Sequence, residues 1–144
     1  MMKNMTPCRI AEVCGGIYHG TKETGIREIE SITTDSRQAA EGCLFVAVKG
    51  ERVDGHDFIP SVFEKGAACV VCEREPEHPS GSWIQVKSSL QAIKDMAEFY
   101  RKQLDIQVVG ITGSVGKTST KEVIASVLSE KYRVLKTLGN FNNE

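Results

Sequence analysis

The chain lacks any apolar run approaching the ~20 residues that a membrane-spanning helix needs, so a helical membrane span is excluded. Nothing in Met1–Pro7 has the apolar core of a secretory leader, and the expected compartment is the cytoplasm. An excess of one charge is missing as well. The 18 Lys and Arg against 19 Asp and Glu leave a net charge of −1, with no electrostatic footprint for nucleic acid or an anionic membrane. A cysteine framework is also wanting, because Cys8, Cys14, Cys43, Cys69 and Cys72 are an odd set inside apolar stretches. Cys69-Val-Val-Cys72 has metal-like spacing, but no second Cys or His pair stands at a suitable distance. It falls in an expected strand, where residues three apart face opposite sides, so these read as buried reduced thiols. His19, His56 and His78 are scattered, and only His56, in a Gly-Asp-rich loop, suggests more than a surface position.

What is present is a globular composition, 40% hydrophobic and 26% charged, over 144 residues that suit one ordinary domain or two small ones. Thr6-Pro7 starts a short helix and Gly15-Gly16 stops it. Residues 30–34 and 43–48 read as strands, 57–65 as a helix closed by Gly66, 67–72 as a buried strand and 83–86 as one more. Ser88 and Gln91 form a capping-box pair for a helix with Leu90, Ile93, Met96, Ala97 and Tyr100 on one side. A seam falls near Lys87. The expected organisation is a small mixed α/β domain over 1–86, then the start of a doubly wound nucleotide-binding α/β domain over 87–144. That second unit reads as cut short, since no strand ending in an acidic residue follows its glycine loop.

The glycine loop is the strongest chemical signal. Residues 104–112 are apolar and β-branched, as a buried strand should be, and Val123, Ile124, Val127 and Leu128 mark one face of a following helix. Between them, Gly113-Ser114-Val115-Gly116-Lys117-Thr118-Ser119 turns strand into helix. Backbone N–H groups at a helix mouth make an anion site, Lys117 can reach outer phosphates, and the Thr118 hydroxyl can ligate Mg²⁺. The general phosphate-loop pattern fails by one residue, with Ile111 where its first glycine belongs and glycines at 110 and 113. A dinucleotide fingerprint fits worse: its glycine spacing is wrong, and Lys136 stands near where an acid should meet a ribose. The loop therefore predicts ATP-type binding with Mg²⁺.

Residues 110–122 and 137–144 together resemble the Mur ligases of bacterial peptidoglycan synthesis, whose loop has this displaced glycine. Thr33-Thr34-Asp35-Ser36-Arg37, the run 42–50, and Val53-Asp-Gly-His-Asp-Phe58 are similar to the N-terminal substrate domain of the two later-acting members. The ending Gly139-Asn-Phe-Asn-Asn-Glu144 resembles the D-alanyl-D-alanine-adding member more than the one adding the third residue.

The resemblance implies an ATP-dependent amide ligase, monomeric when whole, that joins D-Ala-D-Ala to UDP-N-acetylmuramoyl-tripeptide through an acyl phosphate. Lys117 is then the catalytic cation and Thr118 the Mg²⁺ ligand. Thr34, Asp35, Ser36 and Arg37 are implied to lie against UDP, although a turn held by the Asp and Ser side chains explains them equally as residues. Lys49 and His56 are further substrate candidates that a glycine-hinged loop would also explain. Asn140 and Asn142 are also UDP-substrate candidates, past an expected strand at 133–137 where α/β folds place ligands, with turn chemistry as the alternative. The D-Ala-D-Ala site and the remaining metal ligands are expected outside these residues, with weak ligand binding and no ligation by this chain alone. The rivals are the third-residue-adding ligase and a phosphate-loop protein without a biosynthetic role.

Overall fold

Two short apolar runs, Leu44–Val46 and Cys69–Cys72, are buried on both faces and make the middle of a sheet. A computed structural model describes residues 1–137 of the chain. Its elements are α1 (Pro7–Val13), β1 (Ile17–His19), α2 (Lys22–Ile26), β2 (Ile32–Thr33), β3 (Leu44–Val46), α3 (Ile59–Glu64), β4 (Cys69–Cys72), β5 (Ser82–Gln85), α4 (Ser89–Lys102) and α5 (Lys117–Ser129). The sheet order is β1-β5-β4-β3-β2, with β2 to β5 parallel and β1 antiparallel on β5. In register, Leu44 pairs with Cys69 and Val71 with Ile84.

Alternation along the strands divides the core into two layers. Leu44, Val46, Cys69, Val71 and Ile84 face α1 and α4, packing with Ile10, Ala11, Ala92 and Met96. Phe45, Val70, Cys72 and Trp83 face α3, packing with Ile59 and Val62. Cys69 and Cys72 thus belong to opposite layers, and burial pushes both thiols up to about 12. The helix signals act as the sequence implies. Thr6 Oγ1 accepts from Arg9 N–H at the start of α1, and Gly15 (φ +59°) follows its end. Ser88 Oγ accepts from Gln91 N–H, but the Gln91 side chain turns to Asp95 instead of closing the capping box.

Three expectations are corrected. The division between compact units falls after Asp105, not at residue 86, because α4 lays Ala92 and Met96 onto the first sheet. The buried face of that helix also turns: Ala92 and Phe99 join Ile93, Met96 and Tyr100 in the core, while Leu90 and Ala97 stay exposed. Residues 104–112 and 133–137 form no strand, and Ile106, Val108, Val109 and Leu135 are exposed. A strand buried on both faces needs hydrogen-bonded neighbours, and among the described residues none pairs with these segments. The same openness leaves Val123 and Val127 of α5 exposed, with Ala125 buried.

Candidate functional site

Because β2 to β5 run parallel, the segments that leave their carboxyl ends gather at one edge of the sheet, where open α/β sheets bind ligands. After β2, Asp35 organises its loop. Its Oδ1 accepts from Arg37 N–H at 2.9 Å, and its two oxygens clamp the guanidinium through Nε at 2.9 Å and Nη2 at 2.7 Å. The hydrogen bond from that side chain, then the one from the Arg37 backbone, lowers the Asp35 carboxyl to about 2. Arg37 is oriented by the clamp yet 88% exposed, a guanidinium presented to solvent. Lys65 Nζ donates to Ser36 O at 2.7 Å and adds a second cation, while Thr34 is exposed. The sequence pointed to 34–37 but not to Lys65, which tertiary packing alone brings there.

After β3 the chain makes a small hairpin, with Lys49 opposite Asp54 and Gly55 N–H bonded to Val48 O at 2.9 Å. Lys49 is exposed at this edge. His56 is not: its side chain is 6% exposed and both ring nitrogens are engaged. Nδ1 lies 2.6 Å from Asp54 Oδ1, and Nε2 accepts from Glu73 N–H at 3.0 Å. His56 therefore sits behind the surface that a substrate would touch. Hydrogen bonds from the His56 backbone, then its ring, hold Asp54 below the usual carboxylate range. Arg74, just past β4, reaches Asp54 at 3.4 Å and Asp57 at 3.6 Å. Sequence reading missed Glu73 and Arg74, and quoted Asp54 only within the run 53–58, without a role. The signal for the first two was position: Glu73 and Arg74 directly follow a buried parallel strand. An open groove of about 520 Å³ lies at the opposite ends of the strands, lined by Arg27, Glu41, Gly66 and Gly81, with Lys65 shared between it and the 34–37 loop through its bond to Ser36 O.

The glycine loop belongs to the second compact unit. Gly113 (φ +148°) and Gly116 (φ +81°) have backbone angles that side-chain-bearing residues rarely adopt, and Gly116 is the N-cap of α5. As N-cap, Gly116 offers no side chain to the first turn of that helix. Lys117 Nζ folds back to Gly113 O at 2.5 Å, laying the ammonium across the turn. Ser114, Val115, Thr118 and Ser119 are exposed around it. These features fit a polyphosphate: a phosphate oxygen can replace the Gly113 carbonyl as the acceptor of the ammonium. Asn140 and Asn142 lie outside the described residues.

Comparison with known proteins follows the same division. Residues 28–108 match the Mur ligase family, catalytic domain, and residues 111–144 match the Mur ligase middle domain. The chain is 44% identical over 117 residues to the UDP-N-acetylmuramoyl-tripeptide--D-alanyl-D-alanine ligase of Bacillus subtilis (strain 168), covering 80% of this chain and 26% of the relative. It is 46% identical over 106 residues to the UDP-N-acetylmuramoyl-L-alanyl-D-glutamate--2,6-diaminopimelate ligase of Geobacter sulfurreducens, covering 72% and 21%. Among solved structures, MurF from Acinetobacter baumannii superimposes with a TM-score of 0.86 at 35% identity, covering 96% of this chain and 30% of that one. MurF ligase from Thermotoga maritima, in complex with ADP, gives 0.73 at 39% identity, covering 78% and 26%. The chain thus spans about a quarter of the length of the curated relatives it matches.

Proposed function

Since this chain belongs to the Mur ligase family, we propose that it carries the UDP-substrate edge and the phosphate loop of an ATP-dependent amide ligase joining D-Ala-D-Ala to UDP-N-acetylmuramoyl-tripeptide. The observation that carries the proposal is the loop itself. Left-handed Gly116 opens α5, and Lys117 spans the turn at 2.5 Å from Gly113 O, within the segment that matches the family's middle domain.

ATP is read as a substrate, its phosphates held by main-chain amides over 113–118 and by Lys117, with the Thr118 hydroxyl as the Mg²⁺ ligand. Phosphoryl transfer to a carboxylate joins two anions, and the ammonium with Mg²⁺ supplies the neutralising charge. At the other site, Arg37 presents its fork to the diphosphate or a carboxyl of the nucleotide sugar, with Thr34, Ser36 and Lys49 as polar neighbours. The Thermotoga neighbour, solved in complex with ADP, supports the nucleotide half of this reading.

Separate calorimetric titrations of the chain with ADP–Mg²⁺ and with UDP-N-acetylmuramoyl-tripeptide test it. Lys117→Ala is expected to weaken ADP roughly tenfold or more, the size of one charge-assisted contact, and to leave the UDP ligand unaffected. Arg37→Ala should do the reverse. Unchanged ADP affinity in Lys117→Ala refutes the phosphate-loop assignment. The Geobacter relative favours a second reading, addition of the third peptide residue. Tighter binding of the UDP-dipeptide than of the UDP-tripeptide would select that reading.

A further inference from the structure

We infer that His56 is a positioning residue: it fastens the Lys49–Gly55 hairpin to the end of β4 and the start of α4, and so sets the cations of the substrate edge without meeting the ligand. The inference rests on the proposal that the UDP-sugar docks at this edge. The Glu73 backbone N–H can only donate, so Nε2, which receives it at 3.0 Å, carries no proton. The ring proton therefore sits on Nδ1 and is given to Asp54 Oδ1 at 2.6 Å, which makes His56 a neutral ring of one fixed tautomer. The connection continues past Glu73, whose Oε1 accepts from Ser89 N–H at 2.8 Å at the first turn of α4. On the other side, Asp54 stands opposite Lys49 in the hairpin and holds Arg74 at 3.4 Å. Each exposed cation of this part of the edge thus takes its place from a residue attached to the ring.

The groups around His56 are Asp54 and Asp57 of its own turn, Lys49 of the hairpin, and Glu73 and Arg74 beyond β4. A second proton on the ring would go to Nε2 and set N–H against the Glu73 N–H. The Asp54 contact survives that event and the Glu73 contact does not, so acid should release the β4 side of the fastening first.

The test uses ¹⁵N-labelled chain. Long-range ¹H–¹⁵N spectra at neutral pH should show the Nδ1–H tautomer, and the Glu73 amide should exchange slowly. His56→Leu, which removes both polar atoms, is expected to speed Glu73 exchange and weaken UDP-N-acetylmuramoyl-tripeptide about tenfold each, as loss of a buried hydrogen bond should. His56→Gln, whose carbonyl can stand where Nε2 stood, should restore most of both. An Nε2–H tautomer, or wild-type Glu73 exchange in His56→Leu, overturns the inference. If the wild type binds no UDP-sugar, the site proposal fails while tautomer and exchange still decide the role of His56. Should His56→Leu fail to fold, an acid titration of the wild type decides instead. Glu73 protection must fall in step with the ring's ¹⁵N shift while the circular dichroism stays native; protection that outlasts ring protonation overturns the inference.

Discussion

Gly55→Ala should destabilise the first unit more than its small size suggests. An added Cβ would lie 2.7 Å from Val48 N, 2.8 Å from Val48 O and 3.2 Å from Ala47 Cα. All three are backbone atoms at the end of β3, so no side chain can swing away. Relief requires the hairpin to back off, which stretches the 2.9 Å bond from Gly55 N–H to Val48 O. Overpacking of this kind costs about 1–3 kcal/mol, and a lost backbone bond about 1 more, giving roughly 2–4 kcal/mol. For a unit of this size that corresponds to a fall in Tm of roughly 8–15 °C. Thermal melting by circular dichroism measures it, with two comparison variants that separate sterics from torsion. At Gly50 the nearest atom to an added Cβ is Val53 O at 3.1 Å, so Gly50→Ala should cost under about 1 kcal/mol. At Gly15 nothing lies within 4 Å but φ is +59°, so Gly15→Ala should cost about 1–2 kcal/mol through torsion alone. A Gly55→Ala protein melting within about 3 °C of wild type would refute the close-approach reasoning.

Two further outcomes test the electrostatics. The Asp35 carboxyl should titrate by NMR with a midpoint at about 2 and move up toward the ordinary carboxylate value in Arg37→Ala. Since the folded value is the lower one, the stability it lends is complete above the ordinary value and is lost as pH falls toward about 2; an unmoved midpoint in the variant contradicts the clamp. Among the thiols, Cys69 and Cys72, both raised to about 12 by burial, should resist iodoacetamide at about pH 8 in the native protein, and Cys14, raised to about 11 by burial and then by Asp95, should react slowly. Mass spectrometry finding Cys69 or Cys72 alkylated at the unfolded rate would refute the two-layer core.

How much was legible depended on how local the signal was. The first helix, with Thr6 as cap and Gly15 past its end, could be read because capping is settled within a few residues. Residues 43–48 and 67–72 could be read because strands buried on both faces are written as continuous apolar runs. Ile17–His19 could not, for three residues beside a glycine pair carry no period, and their pairing with Trp83–Gln85 is a long-range event. Helix α4 was found, but its buried face was misjudged, since the sheet beneath selects Ala92 and Phe99 over Leu90 and Ala97. The strands expected at 104–112 and 133–137 had the composition of buried strands, without the neighbours that make one among the described residues.

By itself the sequence determined the glycine turn into α5, because its parts are contiguous: glycines for the backbone angles, a lysine at the helix mouth and a helix to follow. It likewise determined the loop 34–37, whose aspartate clamps an arginine two residues away. Only the tertiary structure decided what His56 is. Its partners are an aspartate two residues back and the amide of Glu73, seventeen residues on, which parallel pairing of β3 and β4 brings to the same edge. A histidine's role lies in which of its nitrogens is occupied, and that is fixed by atoms which the chain order leaves apart.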